Sequence, residues 1–260
     1  MMNLPLAWDT TTGSATVTVA VIDTGVLLQH PDLVGKTVPG YDFIRNVRTS
    51  LDSDGIDSNP DDPGDQSPNG STFHGSHVAG TIAANTNNNN GIAGVGWQTK
   101  VMPLRVLGKG GAGSDYDIEQ AIRFAARLDN DSNTLPARHA DIINLSLGGP
   151  EISSGFQDLM DEVRAAGVIV VAAAGNGVVS VSGVDLNKKQ ASYSNYGPFI
   201  DVAAPGGDNT PDVNGDGVPD GIISTVGDDT SNSVGKSKIE YTFTSSIGTS
   251  MASPQVAGVI

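Results

Sequence analysis

The sequence contains no cysteine. Disulfides, thiolate nucleophiles and cysteine zinc sites are thereby excluded. Basic residues are few: 14 Lys and Arg stand against 29 Asp and Glu, a formal net charge of −15. That balance repels phosphate backbones and argues against nucleic acid as a partner. No apolar run is long enough to cross a bilayer, so no membrane partner is expected. The start, MMNLPLAWDTTTGSATVTV, has no basic segment followed by an apolar core, so a secretory signal is missing or was removed. With 260 residues, 38% of them hydrophobic, a single globular domain over 1–260 is expected.

What is present is a series of short apolar runs. VTVAVID (17–23), KVMPLRVL (100–107), DIINLSLGG (141–149), VIVVAAAGN (168–176), VVSVSGVD (178–185) and IDVAAPGG (200–207) are apolar nearly throughout. That is the pattern of strands buried on both faces of a parallel sheet. Between them Ile118, Ala121, Ile122, Ala125 and Leu128 recur at helical spacing, as do Phe156, Leu159, Met160 and Val163, so each segment can lay one stripe on a sheet. The expected fold is α/β, three layers deep, with a mostly parallel central sheet and helices on both faces. Several strands end in polar or glycine-rich residues: Asp23, Ser146 to Gly149, and Gly175 with Asn176. Open α/β sheets collect ligand chemistry along that carboxyl edge, which predicts that Asp23 and Asn176 lie near one another.

The acidic residues concentrate in loops, where carboxylates can ligate hard cations. DVNGDGVPD places Asp212, Asn214, Asp216 and Asp220 at relative positions 1, 3, 5 and 9, with Gly217 at position 6, as in the first part of an EF-hand loop. Position 12 is Ile223, so another ligand or water must replace the usual bidentate glutamate. LDSDGIDSNPDDPGD offers Asp52, Asp54, Asp57, Asp62 and Asp65 at less regular spacing; a calcium site and a solvated acidic loop both remain open there. Calcium held only by the folded state would stabilise a cysteine-free chain with long loops.

Four further motifs carry candidate chemistry: AVIDTGV with Asp23 at a strand end, HGSHVAGTIAA with His74 at a helix start, AAAGN with Asn176, and GTSMASP with Ser250 at another helix start. An isolated serine hydroxyl is a poor nucleophile and needs a base such as imidazole, itself oriented by a buried carboxylate. Each residue also has a plainer reading, Asp23 as a turn residue and Ser250 as an N-cap. His74 and His77 lie three apart, but the glutamate of a H-E-x-x-H zinc site is missing, which excludes a zinc hydrolase. His30 and His139 have no partner motif.

Taken in the order Asp, His, Ser, these motifs resemble the subtilisin-like serine proteases of the bacterial extracellular type, from about residue 6 to the end of the chain. The resemblance implies a serine endopeptidase with Asp23, His74 and Ser250 as its triad, and with the Asn176 amide and the Ser250 N–H as oxyanion donors. It implies protein or peptide substrates flanked by Gly111 and Gly113 on one side and by Ser146, Leu147, Gly148 and Gly149 on the other. A structural calcium near Asp32 and Asn88, secretion and a monomeric state follow from the same likeness. Two features depart from the family. After Asn176 the chain passes almost directly into VVSVSGVD, where relatives carry a longer loop beside the specificity pocket, and it stops ten residues past Ser250 (260 − 250), as a truncated domain would. Two alternatives share the fold: an inactive calcium-binding scaffold, which usually loses part of the triad, and a serine-carboxyl peptidase, which would carry an acidic residue where His74 stands.

Overall fold

The computed structural model describes residues 2–148, 154–173, 178–209, 212–230 and 239–260. Seven strands form one parallel sheet: β1 (Thr18–Asp23), β2 (Tyr41–Asp42), β3 (Lys100–Arg105), β4 (Ile142–Leu145), β5 (Ile169–Ala173), β6 (Val179–Val184) and β7 (Val202–Pro205). Their order across the sheet is β2-β3-β1-β4-β5-β6-β7. A separate antiparallel hairpin joins β8 (Ile222–Asp228) to β9 (Glu240–Ser246).

The helices are α1 (Leu4–Trp8), α2 (Val47–Ser50), α3 (His74–Ala83), α4 (Asp115–Ala125), α5 (Ser154–Ala165) and α6 (Thr249–Val259). Both stripes expected from spacing lie on one face of the sheet. Ala121, Ile122 and Ala125 of α4 and Leu159, Met160 and Val163 of α5 pack with Ala20 and Ile22 of β1. On the opposite face Val19 and Val21 meet Val78, Ala79 and Ile82 of α3 and Ala252 and Ala257 of α6. Successive strand residues point to opposite faces, so the middle of a strand covered on both sides is apolar on both, and all six residues of β1 are buried, Val19 to Ile22 apolar between Thr18 and Asp23. This is the three-layer α/β fold read from the sequence. Local chemistry supports it: Ser114 caps α4 by accepting the Asp117 N–H at 3.1 Å, and Asp115 and Asp117 sit at the positive end of the helix.

The apolar pattern did not announce β2 or the hairpin. Strand β9, EYTFTSS, is polar and half exposed. Side-chain hydrogen bonds hold the hairpin to α3 instead, with Ser224 Oγ donating to the His77 carbonyl at 2.7 Å and Thr225 Oγ1 to the Ser76 carbonyl at 2.6 Å. His77 Nε2 meets the Ile222 carbonyl at 2.9 Å, and His30 Nε2 meets that of Thr242 at 3.0 Å.

Strand β1 lies between β3 and β4. The chain therefore leaves β1 toward one side and later returns to the other, opening a crevice at the carboxyl ends of these strands. Asp23 ends β1 there, the 109–113 segment follows β3, and Ser146 to Gly148 continue from β4.

Candidate active site

Asp23 is fully buried, and its Oδ1 accepts the Thr24 N–H at 2.7 Å. His74 is the first residue of α3. Its Nδ1 lies 2.8 Å from Asp23 Oδ1 and 2.9 Å from Oδ2. A carboxylate only accepts, so Nδ1 carries the ring hydrogen and Nε2 of the neutral ring keeps its lone pair. The imidazole is 26% exposed, which leaves that lone pair within reach of the crevice. Burial pulls the His74 pKa down, but the charge and hydrogen bond of Asp23, with the charges of Asp62 and Asp65, outweigh burial and hold it above the ordinary value.

Two backbone features bring the pair together. Phe73, the residue before α3, takes left-handed angles (φ 46°, ψ 39°) that cost a bulky residue energy, and its buried ring packs with Leu27 and Val226. After His74, a Cβ on Gly75 would collide with the Gly25 carbonyl and with Asp23 Cβ, so only glycine lets α3 approach the end of β1 this closely.

Ser250 lies in the first turn of α6, where backbone N–H groups have no intrahelical acceptor. Gly248 (φ 150°) occupies the N-cap position, so Ser250 is not the helix cap. The Ser250 hydroxyl donates to the Ser146 carbonyl at 3.0 Å, and among the described residues it makes no hydrogen bond to His74. Pro254 lacks the N–H that would meet the Ser250 carbonyl four residues back, and Ser146 Oγ donates to that carbonyl at 2.8 Å. Ser146 Oγ also meets Ser253 Oγ at 2.8 Å and Asn144 Nδ2 at 2.9 Å.

The structure thus joins Asp23 to His74 and Ser146 to Ser250. Asn176 and Gly149 lie outside the described residues. Gly111 and Gly113 are exposed, and a Cβ on Gly148 would meet open space. A pocket of about 440 Å³ lies beside Ala112 and Gly113, lined also by Arg45, Asn46 and Lys109, and it contains none of Asp23, His74 and Ser250.

Sequence reasoning missed a buried network behind the pair. Thr24 Oγ1 donates to Asp62 Oδ2 at 2.7 Å and accepts the Gly75 N–H at 3.0 Å. Burial pushes the Asp62 carboxyl up to about 7, against the lowering effect of its hydrogen bonds from Thr24 and Gly64. Only the polar Thr in DTG hinted at this arrangement.

The five aspartates of residues 52–65 do not assemble into one site. Asp62 serves Thr24, Asp65 accepts from Thr72 Oγ1 at 2.5 Å and from the Ser67 N–H at 2.9 Å, and Asp54 is exposed. Asp52 and Asp57 do come together, with Asp42, their ligand atoms within 4.8 Å of one another. The buried Arg105 guanidinium donates to both Asp42 and Asp52, so the protein supplies its own cation there.

Two other loops were expected to hold calcium. Asp32 is fully buried, and its oxygens face Asn88 Nδ2 at 2.7 Å, Asn90 Nδ2 at 3.4 Å and the Ile92 N–H at 3.2 Å. Turning the two amides would present oxygens in place of nitrogens. In the 212–220 loop, Asp212, Asn214, Asp216 and Asp220 all accept N–H bonds from within the same turn, and among the described residues the carboxylates of Asp212, Asp216 and Asp220 do not gather into a three-ligand cluster.

The Subtilase family model matches residues 14–260. An extracellular protease of Xanthomonas campestris is 40% identical over 100% of this chain and 45% of its own length. Thermitase of Thermoactinomyces vulgaris is 36% identical, with 98% of this chain and 77% of its own length covered. A solved protease from Pseudoalteromonas arctica superposes with a TM-score of 0.86 at 42% identity, covering 99% of this chain and 79% of that one. The chain spans about half the length of several curated relatives it matches, 45% and 53% in two of them. In sequence, fold and the pairing of Asp23 with His74, the chain belongs to the subtilase family of serine proteases.

Proposed function

We propose that the chain is a serine endopeptidase in which His74 takes the proton of Ser250 while Ser250 Oγ attacks a peptide carbonyl. The observation that carries this reading is the Asp23–His74 pair, which fixes the ring hydrogen on Nδ1 and leaves Nε2 as the base. Rotation about the Ser250 Cα–Cβ bond turns its hydroxyl from the Ser146 carbonyl to His74 and frees that carbonyl for a main-chain N–H of an extended substrate.

The tetrahedral intermediate places its oxyanion against the Ser250 N–H at the start of α6 and against the Asn176 amide. His74, now imidazolium and stabilised by Asp23, returns the proton to the leaving amine. Water then hydrolyses the acyl-enzyme by the same relay. Gly111 and Gly113 and the segment from Ser146 to Gly148 follow strands on either side of β1, so a substrate strand fits between them. Structural calcium at the Asp32–Asn88 loop and at the 212–220 loop, an extracellular location and a monomeric state belong to the same proposal. When bound, calcium would tie acidic loops together and take no part in the proton relay.

The test is labelling by a fluorophosphonate at neutral pH, together with peptide cleavage. Wild type is expected to label and cleave, Ser250→Ala to do neither, and Asn176→Leu to lose turnover far more than substrate affinity. Loss of one such donor costs on the order of 100-fold in kcat, a magnitude carried over from a subtilisin of this family. A folded wild type that neither labels nor cleaves would favour an inactive scaffold.

A further inference from the structure

Behind Asp23 and His74 lies a second carboxylate that the proton relay does not use. Asp62 is 2% exposed, and no Lys, Arg or His side chain forms a salt bridge with it among the described residues. A buried carboxylate without an ion-pair partner is costly, so its two hydrogen bonds need a reason. One accepts the Gly64 N–H at 2.9 Å. The other accepts the Thr24 hydroxyl.

A hydroxyl has a single proton. Committed to Asp62, Thr24 Oγ1 has only lone pairs for its other contact, and it accepts the Gly75 N–H at 3.0 Å. That N–H belongs to the first turn of α3, where no intrahelical acceptor exists and the N-cap residue Phe73 makes no side-chain cap. Thr24 therefore caps α3 from the neighbouring strand end, one residue after His74. Its own N–H holds Asp23 Oδ1 at 2.7 Å. A single residue grips both halves of the pair, and Asp62 sets which way its hydroxyl points.

We propose that Asp62 is a positioning residue for the reaction, fixing the Asp23–His74 geometry through the Thr24 hydroxyl. The kinetic consequence rests on the protease reading; the geometric claim does not. Asparagine in place of Asp62 keeps the volume but not the function. Both Asp62 oxygens accept, so an amide there either turns its NH2 to the Gly64 N–H and loses that bond, or donates to Thr24 Oγ1 and leaves the hydroxyl proton without its acceptor, free to turn away. Threonine 24 can be probed in the same way, since Thr24→Ser keeps the hydroxyl and Thr24→Val removes it at nearly equal volume.

The experiment measures kcat and KM for Asp62→Asn, Thr24→Val, Thr24→Ser and the double variant Asp62→Asn/Thr24→Val, with active sites counted by fluorophosphonate labelling. Work at about pH 8.5 keeps a carboxyl with a pKa of about 7 ionised. Asp62→Asn and Thr24→Val are each expected to lower kcat about 10- to 100-fold with KM nearly unchanged, the cost of a slightly misplaced base. Thr24→Ser should restore wild-type turnover, and the double variant should be no worse than the poorer single one, as for residues acting as a unit.

Proton NMR of His74 supplies a readout that needs no turnover. Its Nδ1 proton should be sharp in the wild type and should broaden or vanish in Asp62→Asn and Thr24→Val. The His74 pKa should fall in Asp62→Asn, which also removes a charge; the other charged groups acting on the ring are Asp23 and Asp65, while the neighbouring His77 is neutral well above its pKa of about 4. Unchanged kcat and an unchanged Nδ1 signal in both single variants, multiplicative losses in the double variant, or a Thr24→Ser enzyme as poor as Thr24→Val would each overturn the positioning role. Should the wild type neither label nor cleave, the protease reading fails, and the NMR comparison still decides the geometric claim.

Discussion

Ser146 and Ser250 exchange hydrogen bonds in both directions: the Ser250 hydroxyl donates to the Ser146 carbonyl at 3.0 Å, and the Ser146 hydroxyl donates to the Ser250 carbonyl at 2.8 Å. The second bond exists because Pro254 cannot supply the usual helical donor. Ser146→Ala should then leave the Ser250 carbonyl unsatisfied and lower stability by about 1–2 kcal/mol. Pro254→Ala restores an N–H four residues on, so adding it to Ser146→Ala should recover much of that loss. Denaturant midpoints of the two single variants and the double variant check this. Simple addition of the two effects would disconnect Ser146 from the proline.

Protonation of His74 should set the acid limb of activity, because an imidazolium cannot accept the Ser250 proton. Burial lowers the His74 pKa, but Asp23, Asp62 and Asp65 together raise it above 6.5. The fall in kcat/KM on acidification is therefore expected to have its midpoint above 6.5, the ordinary histidine value. Asp23→Asn removes the largest raising influence, so the midpoint should move down while kcat drops by about 10⁴-fold through loss of the tautomer and the compensating charge. A midpoint below the ordinary value, or one indifferent to Asp23→Asn, would contradict the assignment.

His77 should make stability, as distinct from activity, sensitive to acid. Burial lowers its pKa to about 4, with His74 nearby adding to the effect, and its Nε2 hydrogen bonds to the Ile222 carbonyl of β8 at 2.9 Å. A lowered folded-state value means that the unfolded chain binds the proton first as pH falls. The contribution is thus complete above 6.5, the unfolded value, and is lost between there and about 4. The loss is on the order of 3 kcal/mol at 1.36 kcal/mol per unit. His77→Gln keeps an N–H for Ile222 but cannot titrate, so its unfolding free energy should fall less steeply over that window. Parallel curves for variant and wild type would clear His77 of the effect.

Much of the fold and part of the site are legible in the sequence, and the division has physical causes. β-branched runs covered on both faces are apolar on both through their middle, so β1, β4 and β5 stood out. Asp23 ends β1 and His74 begins α3, and their pairing was legible through the resemblance their motifs carry, because no apolar pattern tells which strand end a helix start will meet. The 52–65 segment was ambiguous because spacing alone cannot say whether a carboxylate faces solvent, a cation or a hydroxyl. Asp62 turned inward to Thr24, while Asp52 turned to Arg105, a buried charge at the end of β3. The β8–β9 hairpin gave no apolar alternation because α3 holds it largely by hydroxyl and imidazole hydrogen bonds.

Calcium is best tested loop by loop, because removing a carboxylate also removes the hydrogen bonds it accepts. Asp32 accepts from Asn88, Asn90 and Ile92, and Asp212 accepts from Gly215 and Gly217, so either variant loses stability even without an ion. The informative quantity is the difference in Tm with calcium and with excess chelator, measured for each protein separately. Wild type should melt lower in chelator, since an ion bound only by the folded state contributes about 2.7 kcal/mol at a concentration 100 times its Kd. If both loops hold calcium, Asp32→Ala and Asp212→Ala should each shrink that difference, and together they should abolish it. A wild-type melting curve that ignores the chelator would remove calcium from both loops, whereas a difference that survives in one variant alone would assign the ion to the other loop.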